Sequence, residues 1–434
     1  MINLKDFLDR SKKYDTEAFQ KAVDLGSKNG GETVFVPFGT YTLATVILRD
    51  NTNIVFEDGV MIHSAESLDD FADDEPLDEV RYQDLSHSSY TKAMFYANEV
   101  KNVSIKGLAT IDMHSLWDVN DSRAPDGYFR GAKVFSFRKV TGVRIYDVKI
   151  LNATDISIML GACKDVIVSK VFINCHIDGI SPDGCADVVI SDCIIKTGDD
   201  ALVLKSSYFD RQLHPCERIT ISNCVMSSLA NAIKLGTESN GDFRHINITN
   251  CVVENTFHSG IAIESADGSN IYAVNISNVT MQNVANPIFI YLNERLRAPK
   301  GMKMGSIRDV NLSNIYADIH DKKFKIIPSW CPEANLPFDP EYHVNRSLTS
   351  IIMSTSKDNP IENLSLSNVN IEVLGGGKKD MEVVFPPKDL YPESDTFKLP
   401  YYGMYVENVK NFKMDNVNFK TVYEDEREAL CIKE

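Results

Sequence analysis

One short phrase recurs ten times along this chain of 434 residues and limits what the chain can fold into. The phrase is an alternation of β-branched residues, then a polar pair that often ends in Asn or Asp, then a second alternation. Copies read VVISDCII from Val188, ITISNCVM from Ile219 and VNISNVTM from Val274. Because alternation with period two is typical of strands, the pattern predicts short strands joined by polar turns.

The spacing of the phrase indicates how these strands are arranged. The fifth residue of each copy serves as a register mark, and the ten marks are Gly107, Asp147, Lys170, Asp192, Asn223, Asn250, Asn278, Asn314, Asn368 and Asn416. The step from Lys170 to Asp192 is 22 residues, which suits one coil of a solenoid, and longer steps suit coils with inserted loops. A β-sandwich, the rival fold, does not repeat one phrase at coil-length spacing. The predicted fold class is all-β, a single-stranded right-handed parallel β-helix.

The two ends and the loops complete this predicted organisation. We expect one β-helix domain over 1–434, with repeat coils over about 100–420 and an N-terminal cap and first coil over about 1–45. A capping helix begins at Asp15, the predicted N-cap, because solenoids need their first coil covered. Residues 66–90 and 316–345 break the repeat and are predicted to be long loops that wall a binding cleft.

Charge and composition exclude several classes of partner. The formal net charge is -16 and the pI is about 5.1, so the surface repels nucleic acid and anionic lipid, and we expect neither as a partner. No apolar run approaches the length of a membrane span. The charged N-terminus lacks the pattern of a signal peptide, which predicts a cytoplasmic protein, or a secreted one if a leader has been removed. The sequence leaves the oligomeric state open.

The nine cysteines favour a reduced core. They include no C-x-x-C pair, so neither a disulfide framework nor a thiolate zinc site is expected. Cys193, Cys224 and Cys251 each follow a mark by one residue and should therefore stack as buried thiols. The sequence predicts no metal site and no cofactor.

A column of polar residues lies at one offset from the marks. Five residues stand eight positions after a mark: Asp155, Asp178, Asp200, Asn231 and His258. Equal offsets predict the same place on successive coils, so Asp178 and Asp200 should lie about 4.8 Å apart along the stack. Asp199 precedes Asp200, and Gly198 before it allows a turn that brings both carboxylates to one side.

The carboxylates of Asp178, Asp199 and Asp200 therefore form a predicted acidic cluster. Like charges in one site raise a carboxyl pKa, which suits a general acid. An acidic stack on a solenoid also suits calcium binding or turn capping, but three carboxylates over one coil step favour catalysis. Lys205 and Asp183 both lie thirteen residues after a mark, and a supporting salt bridge is as good an interpretation there as substrate contact.

Two segments resemble motifs of glycoside hydrolase family 28, the polygalacturonases and rhamnogalacturonan hydrolases of the pectin-lyase-like β-helix superfamily. They are HIDGISPDGC from His176 and TGDDALVLK from Thr197. Asp178 matches the Asp of the family's Asn-Thr-Asp, and Asp199 with Asp200 match its Gly-Asp-Asp. The resemblance implies hydrolysis with inversion, in which Asp199 protonates the leaving oxygen while Asp178 and Asp200 hold and deprotonate the attacking water.

The chain departs from the family at two other motifs. Ala230 stands where the family has the His of Gly-His-Gly, and Ala262 and Glu264 stand where it has the Arg and Lys of Arg-Ile-Lys. The resemblance implies that this Arg and Lys clamp a galacturonate carboxylate, which would meet repulsion here. Substrate contacts are expected instead from Asp155, Lys205, Asn231, Lys234, Glu238, His258, Glu264, Arg295, Arg297 and Tyr402. Each also has a structural interpretation, as a salt-bridged, turn or packing residue.

The predicted function is therefore an inverting, exo-acting glycoside hydrolase of pectic oligosaccharides from plant cell walls, polygalacturonase-like but without the usual carboxylate clamp. One alternative is a carbohydrate-binding β-helix without catalysis, which the missing motifs favour and the three aspartates oppose. Another is a polysaccharide lyase on the same fold. A lyase needs a strong base such as Arg or Lys, and the losses at Ala262 and Glu264 count against it.

Overall fold

The computed structural model describes residues 1–73, 87, 90–116, 131–318, 349–355, 359–387, 389–392 and 394–433. The chain divides into two compact units, Met1–Thr197 and Gly198–Glu434, called the first and second unit below. The predicted single domain over 1–434 stays a prediction. Among the described residues, no helix is both long and apolar enough to cross a bilayer.

The first unit contains one α-helix, two 3-10 helices and eighteen short strands among its described residues. The helices are α1 (Thr16–Lys28) and the 3-10 helices Leu4–Phe7 and Leu68–Asp70. The strands are β1 Ile2–Asn3, β2 Val34–Val36, β3 Thr40–Leu43, β4 Val46–Ile47, β5 Asn53–Phe56, β6 Met61–Ser64, β7 Ala93–Asn98, β8 Lys101–Lys106, β9 Thr110–Asp112, β10 Lys133–Arg138, β11 Thr141–Tyr146, β12 Lys149–Leu151, β13 Ile158–Gly161, β14 Lys164–Ser169, β15 Phe172–Cys175, β16 Ile180–Asp183, β17 Ala186–Ser191 and β18 Ile194–Thr197.

These strands stack in three parallel columns, one for each face of a coil. The first face runs β1, β2, β5, β8, β11, β14, β17; the second runs β3, β6, β9, β12, β15, β18; the third runs β4, β7, β10, β13, β16. The repeat phrases pair in register, since Val143 lies opposite both Val103 and Val166. Their β-branched side chains are buried, which is the apolar interior that the alternation predicts.

The predicted capping helix is α1, and it is tied to the coil that it covers. Asp15 is its N-cap residue, but the Asp15 side chain makes no capping bond. Its Oδ2 accepts instead from the Thr42 backbone N–H at 3.0 Å, and Thr16 Oγ1 accepts from the Ala44 N–H at 2.9 Å. Phe19, on the inner face of α1, is fully buried. The cap is therefore held by polar bonds at its start and by burial along its length.

The second unit has the same architecture with longer strands. Its strands are β19 Leu202–Leu204, β20 Tyr208–Phe209, β21 Gln212–Leu213, β22 Cys216–Ser222, β23 Val225–Ser228, β24 Ile233–Leu235, β25 Asp242–Ser265, β26 Asn270–Leu292, β27 Ser306–Asp318, β28 Ile351–Thr355, β29 Ile361–Gly375, β30 Tyr401–Glu407, β31 Val409–Lys410, β32 Lys413–Tyr423 and β33 Glu428–Lys433. A 3-10 helix spans Ser394–Thr396. Parallel pairing in register, as at Val274 opposite Ile246 and Val310, confirms the predicted β-helix class.

All ten register marks share one backbone conformation. Every mark has φ between 50° and 119°, the left-handed region, from Gly107 at 119° to Asn416 at 50°. Asn and Asp tolerate this region better than other residues with a Cβ, and Gly tolerates it best. The mark is thus the corner between the first and second faces, and the recurrence of Asn there has a steric cause.

The asparagines at these corners also bond to one another. The Nδ2 of Asn278 donates to Oδ1 of Asn250 at 3.1 Å, and Asn314 donates to Asn278 at 3.0 Å. The ladder continues through Asn368 and Asn416, at 3.1 and 2.9 Å. Each amide donates to the coil before and accepts from the coil after, so the side chains repeat the pairing of the backbone.

Two further predictions about the core and loops have outcomes here. None of the eight cysteines among the described residues forms a disulfide, and Cys224 and Cys251 stack as predicted. Their hydrogen bond and burial raise the pKa of Cys251. Cys193 is equally buried, in the first unit.

The loop predicted over 316–345 begins late, because β27 continues to Asp318. Residues 319–345, and 74–86 with 88–89 of the loop predicted over 66–90, lie outside the described residues.

The corner conformation should be measurable separately from the ladder bonds. Asn278 and Asn275 are both exposed and both sit in an asparagine ladder, but only Asn278 has a positive φ. Asn278→Ala should therefore cost about 1 kcal/mol more in unfolding free energy than Asn275→Ala, measured by urea denaturation. Asn278→Gly should recover most of that difference. Equal losses for the two alanine variants would contradict the steric account.

Candidate active site

Acidic side chains flank the third-face strand β16 of the first unit. Asp178 lies two residues before β16, and Asp183 is its last residue. Both side chains are buried, and the buried imidazole of His87 lies between them. His87 Nε2 is 3.6 Å from Asp178 Oδ2, and His87 Nδ1 is 3.6 Å from Asp183 Oδ2. One histidine therefore faces two buried carboxylates at ion-pair distance.

No pattern in the sequence had singled out His87. It lies in the stretch predicted as a loop, outside the regular repeat, so the register marks could not place it. When it is protonated, the His87 imidazole can pair with both carboxylates, each 3.6 Å away.

Tyr90 closes the apolar side of the same region. Its ring is buried with Tyr96, Ile156 and Met159, and burial, with Asp183 as the next cause, raises the pKa of its hydroxyl well above the usual value. Gly161 makes room for that hydroxyl, since an added Cβ would lie only 2.4 Å from the Tyr90 oxygen. Asp183 is thus enclosed by an aromatic wall as well as by His87.

Asp199 and Asp200 open the second unit, just before strand β19. Asp200 is buried and Asp199 is half-buried. The Oδ1 of Asp200 accepts from the backbone N–H and the side-chain Nδ2 of Asn231, at 3.1 and 2.8 Å, and its Oδ2 pairs with Lys234 Nζ at 2.9 Å. The Asp200 carboxylate is therefore held in place by three donors. Asp199 Oδ1 accepts from the Asp200 N–H at 3.0 Å.

Lys234 joins Asp200 to a second buried acid. Its Nζ donates to the Tyr391 hydroxyl at 2.6 Å. Thr237 Oγ1 donates to Glu264 and lies 3.1 Å from the Tyr391 hydroxyl oxygen. Burial acts against the charge on Lys234, but the neighbouring carboxylates, Asp200 first, raise its pKa well above the usual value. Burial raises the pKa of Glu264 to about 7, although Lys234 and Thr237 oppose the shift. Glu264 is therefore a buried acid poised to titrate near neutral pH.

A second set of charges surrounds Glu238. Its carboxylate accepts from Lys205 Nζ on one oxygen and from the Arg295 guanidinium, at 3.4 Å, on the other. Arg295 Nε also donates to Asp267 at 2.9 Å. Burial raises the pKa of Glu238, but Lys205 and Arg295 outweigh it and hold that pKa well below its usual range. Arg297 reaches the edge of this set, with Nη2 3.8 Å from Glu238 and 46% of its side chain exposed.

The pairing of neighbouring strands shows which residues lie beside Ala262 and Glu264, the two positions that differ from the family motif. Ala262 is fully buried and pairs with Lys234 on the neighbouring strand, so the cation next to this position comes from the coil before. Glu264 comes close to Gly236, whose φ is +106°; a Cβ there would lie 2.1 Å from the Glu264 carbonyl oxygen. Lys205, Lys234, Glu238, Glu264 and Arg295 are thus brought together in the second unit as one buried network.

Two placements in the predicted polar column are wrong by one residue. Asp155 was placed 23 residues before Asp178, but Ile158 pairs with Ile180 at a step of 22, so Asp155 falls out of line. It is buried in an ion pair with Lys133, at 3.0 Å.

His258 was placed beside Asn231, but a register shift between Thr256 and Ser259 puts His258 one residue out of that position. Ser259 takes the position instead, and its N–H donates to Asn231 Oδ1 at 3.1 Å.

The placement of Asn231 in the column is confirmed, and two other predictions about the site stay untested. Leu202 pairs with Ile233, which places Asn231 beside Asp200 as predicted. Tyr402 is half-buried in β30, and its carbonyl accepts from Ser350 Oγ at 3.0 Å. Its contact with a sugar stays a prediction. Asp178 belongs to the first unit and Asp199 and Asp200 to the second, and their joint action also stays a prediction.

Comparison with known proteins gives one family match and many similar folds. The family described as glycosyl hydrolases family 28 matches residues 32–331. A probable polygalacturonase of Vitis vinifera is 23% identical over 278 residues, which cover 60% of this chain and 56% of that protein. The chain spans about half the length of the curated relatives that it matches.

Two solved structures resemble the chain over nearly its whole length. A hyperthermoactive exopolygalacturonase from Thermotoga maritima has a TM-score of 0.67 at 18% identity, covering 96% of this chain and 91% of that chain. A family 28 exopolygalacturonase from Yersinia enterocolitica has a TM-score of 0.66 at 15% identity, covering 100% and 77%. At these identities the likeness supports the β-helix fold.

The raised pKa of Glu264 predicts a pH dependence of stability. The folded state holds this proton up to about pH 7, whereas an unfolded Glu loses it near pH 4.5, so stability falls as the pH rises between these values. In this window the free energy of unfolding of wild type should fall by up to about 1.4 kcal/mol per pH unit because of Glu264, and Glu264→Gln should lack that fall. Urea denaturation at several pH values measures both. The exposed Glu382→Gln is the control. Parallel curves for wild type and Glu264→Gln would contradict the assignment.

Proposed function

Because the chain belongs to family 28 of the glycosyl hydrolases, we propose that it hydrolyses pectic oligosaccharides with inversion and releases sugars from one chain end. Asp200 carries the proposal. Three donors hold its carboxylate in place, and a half-buried second carboxylate, Asp199, comes directly before it. A base and an acid in adjacent residues suit hydrolysis, whereas a binding protein has no need of either.

The proposed roles follow from the surroundings of each carboxylate. Asp200 is held in place by Asn231 and Lys234, so it holds the attacking water and takes its proton. Asp199 keeps part of its surface exposed and serves as the acid that protonates the leaving oxygen. Asp178 shares the base role, and His87 keeps it oriented within the first unit. In an inverting hydrolase the acid and the base are generally about 6.5–9.5 Å apart, which leaves room for the water.

We also propose where the second unit binds neutral sugars and where it binds acidic sugars. Glu264 stands where the family places a lysine, so the sugar beside it should be neutral, as rhamnose is. A protonated Glu264 can donate a hydrogen bond to a sugar hydroxyl, and its pKa of about 7 allows that form. Arg297 keeps nearly half of its side chain exposed and is the better receiver for a uronate. A pectic fragment with both neutral and acidic sugars fits this distribution of charge.

Release from a chain end is proposed from likeness of fold. The two similar structures described above are both exopolygalacturonases, and the same mode of action is proposed for this chain. A cytoplasmic location also stays a proposal; it would suit short oligosaccharides because polymers do not enter cells. The missing carboxylate clamp at Ala262 and Glu264 is part of the same proposal.

Product analysis tests the reaction directly. Wild type should release a terminal sugar from galacturonides or rhamnogalacturonan fragments, and Asp199→Asn should lower kcat by about 10²- to 10⁴-fold because the acid is lost. Asp415→Asn, a change at an exposed aspartate of β32, is the matched control and should keep full activity. NMR of the first product should show the inverted anomer.

Each alternative predicts a different result in that assay. Fragments cut in mid-chain would overturn exo-action but leave hydrolysis standing. Binding without turnover by wild type would favour a carbohydrate-binding protein. Unsaturated products that absorb in the ultraviolet would show a lyase.

The charge assignment has its own test at Arg297. Arg297→Gln should raise KM for acidic oligosaccharides about tenfold and leave kcat nearly unchanged, because a charged hydrogen bond to the substrate is worth about 1.5–3 kcal/mol. Arg308→Gln is the matched control, since Arg308 is similarly exposed at 43% and pairs with its neighbour Asp309. Equal KM values for Arg297→Gln and Arg308→Gln would contradict the role of Arg297.

A further inference from the structure

A second group of chemically active side chains lies in the first unit. His63 is on the second-face strand β6, and Asp112 is its cross-strand partner on β9. His114 follows two residues later. One ligand atom from each of the three side chains lies within 4.8 Å of the others. We propose that His63, Asp112 and His114 bind a divalent transition-metal ion of the zinc type.

The two imidazoles lie next to each other and close to Asp112. Their rings stack with centroids 4.6 Å apart and planes 21° from parallel. The Nδ1 of His63 is buried and has no hydrogen-bond partner among the described residues. A buried polar nitrogen normally has a partner, and a metal ion would supply it.

The carboxylate of the group is held in place by its neighbours. Asp112 Oδ1 accepts from Asn152 Nδ2 at 2.8 Å and from the His114 backbone N–H at 2.9 Å. His114 has φ of +56°, a tight corner that turns the chain back beside Asp112. Hydrogen bonds of this kind orient the ligands in metal sites and raise their affinity. Asn152 is therefore a positioning residue for Asp112.

The pocket beside the histidines leaves space for further ligands. His63 and His114 line a cavity of about 630 Å³ together with Thr42, Ser64, Glu66 and Ser115. Three protein ligands next to open space resemble zinc sites that complete their coordination with water. Two imidazoles and one carboxylate favour zinc, copper or nickel over calcium and magnesium, which prefer oxygen ligands alone. The inference does not depend on the proposed hydrolase activity.

Metal binding by the whole protein is the test. After treatment with a chelator and its removal, wild type should bind one equivalent of Zn²⁺ in competition with a chromophoric chelator. His63→Ala and His114→Ala should each lower the affinity about 100-fold or more, and Asn152→Ala about tenfold. Cobalt(II) bound to wild type should show visible absorption bands that both histidine variants lose.

The controls separate this site from general binding by surface histidines. His245→Ala removes an exposed histidine in the second unit and should leave affinity and stoichiometry unchanged. His114→Gln, with circular dichroism of every variant, guards against loss of the fold. Absence of stoichiometric binding to wild type would overturn the proposal. So would equal affinity in wild type, His63→Ala and His114→Ala.

Discussion

The structure depends on one constraint, the register of stacked parallel coils. Each coil pairs its backbone with the next, so a residue on one coil has a defined neighbour on the coils before and after. The left-handed corner at each mark keeps this register because only Asn, Asp, Gly and a few other residues adopt it at low cost. The asparagine ladder from Asn250 to Asn416 adds side-chain bonds in the same direction.

The same register gathers charge in the second unit. Asp200, Lys234 and Glu264 come from three different strands or turns, and each is almost fully buried. Burying so many charges is costly unless each has a partner, and the contacts supply those partners through Asn231, Thr237 and Tyr391. The network therefore leaves one member, Glu264, with a strongly raised pKa. Glu264 therefore changes its protonation near neutral pH while its neighbours keep their partners.

Counting from a mark places a residue correctly where the paired strands keep the same step as the marks, and misplaces it where one residue is inserted or lost in between. Asn231 beside Asp200 followed from counting, and so did the stack of Cys224 and Cys251. Asp155 and His258 were misplaced because a step of 22 instead of 23, and a register shift after Thr256, change the count by one. In a strand, one residue reverses the face on which a side chain lies, so small errors of counting move a residue out of a site.

The sequence by itself determined the β-helix class, the capping helix, the corners and the family, because these depend on a periodic pattern of side chains and on motif residues. Only the tertiary structure decided the partners of those residues. It brought Tyr391 to Lys234 across 157 positions and placed His87 between Asp178 and Asp183. It also brought His63 and His114 together on consecutive coils. Such contacts come from loops and uneven coils, whose paths depend on packing and electrostatics that no repeat encodes.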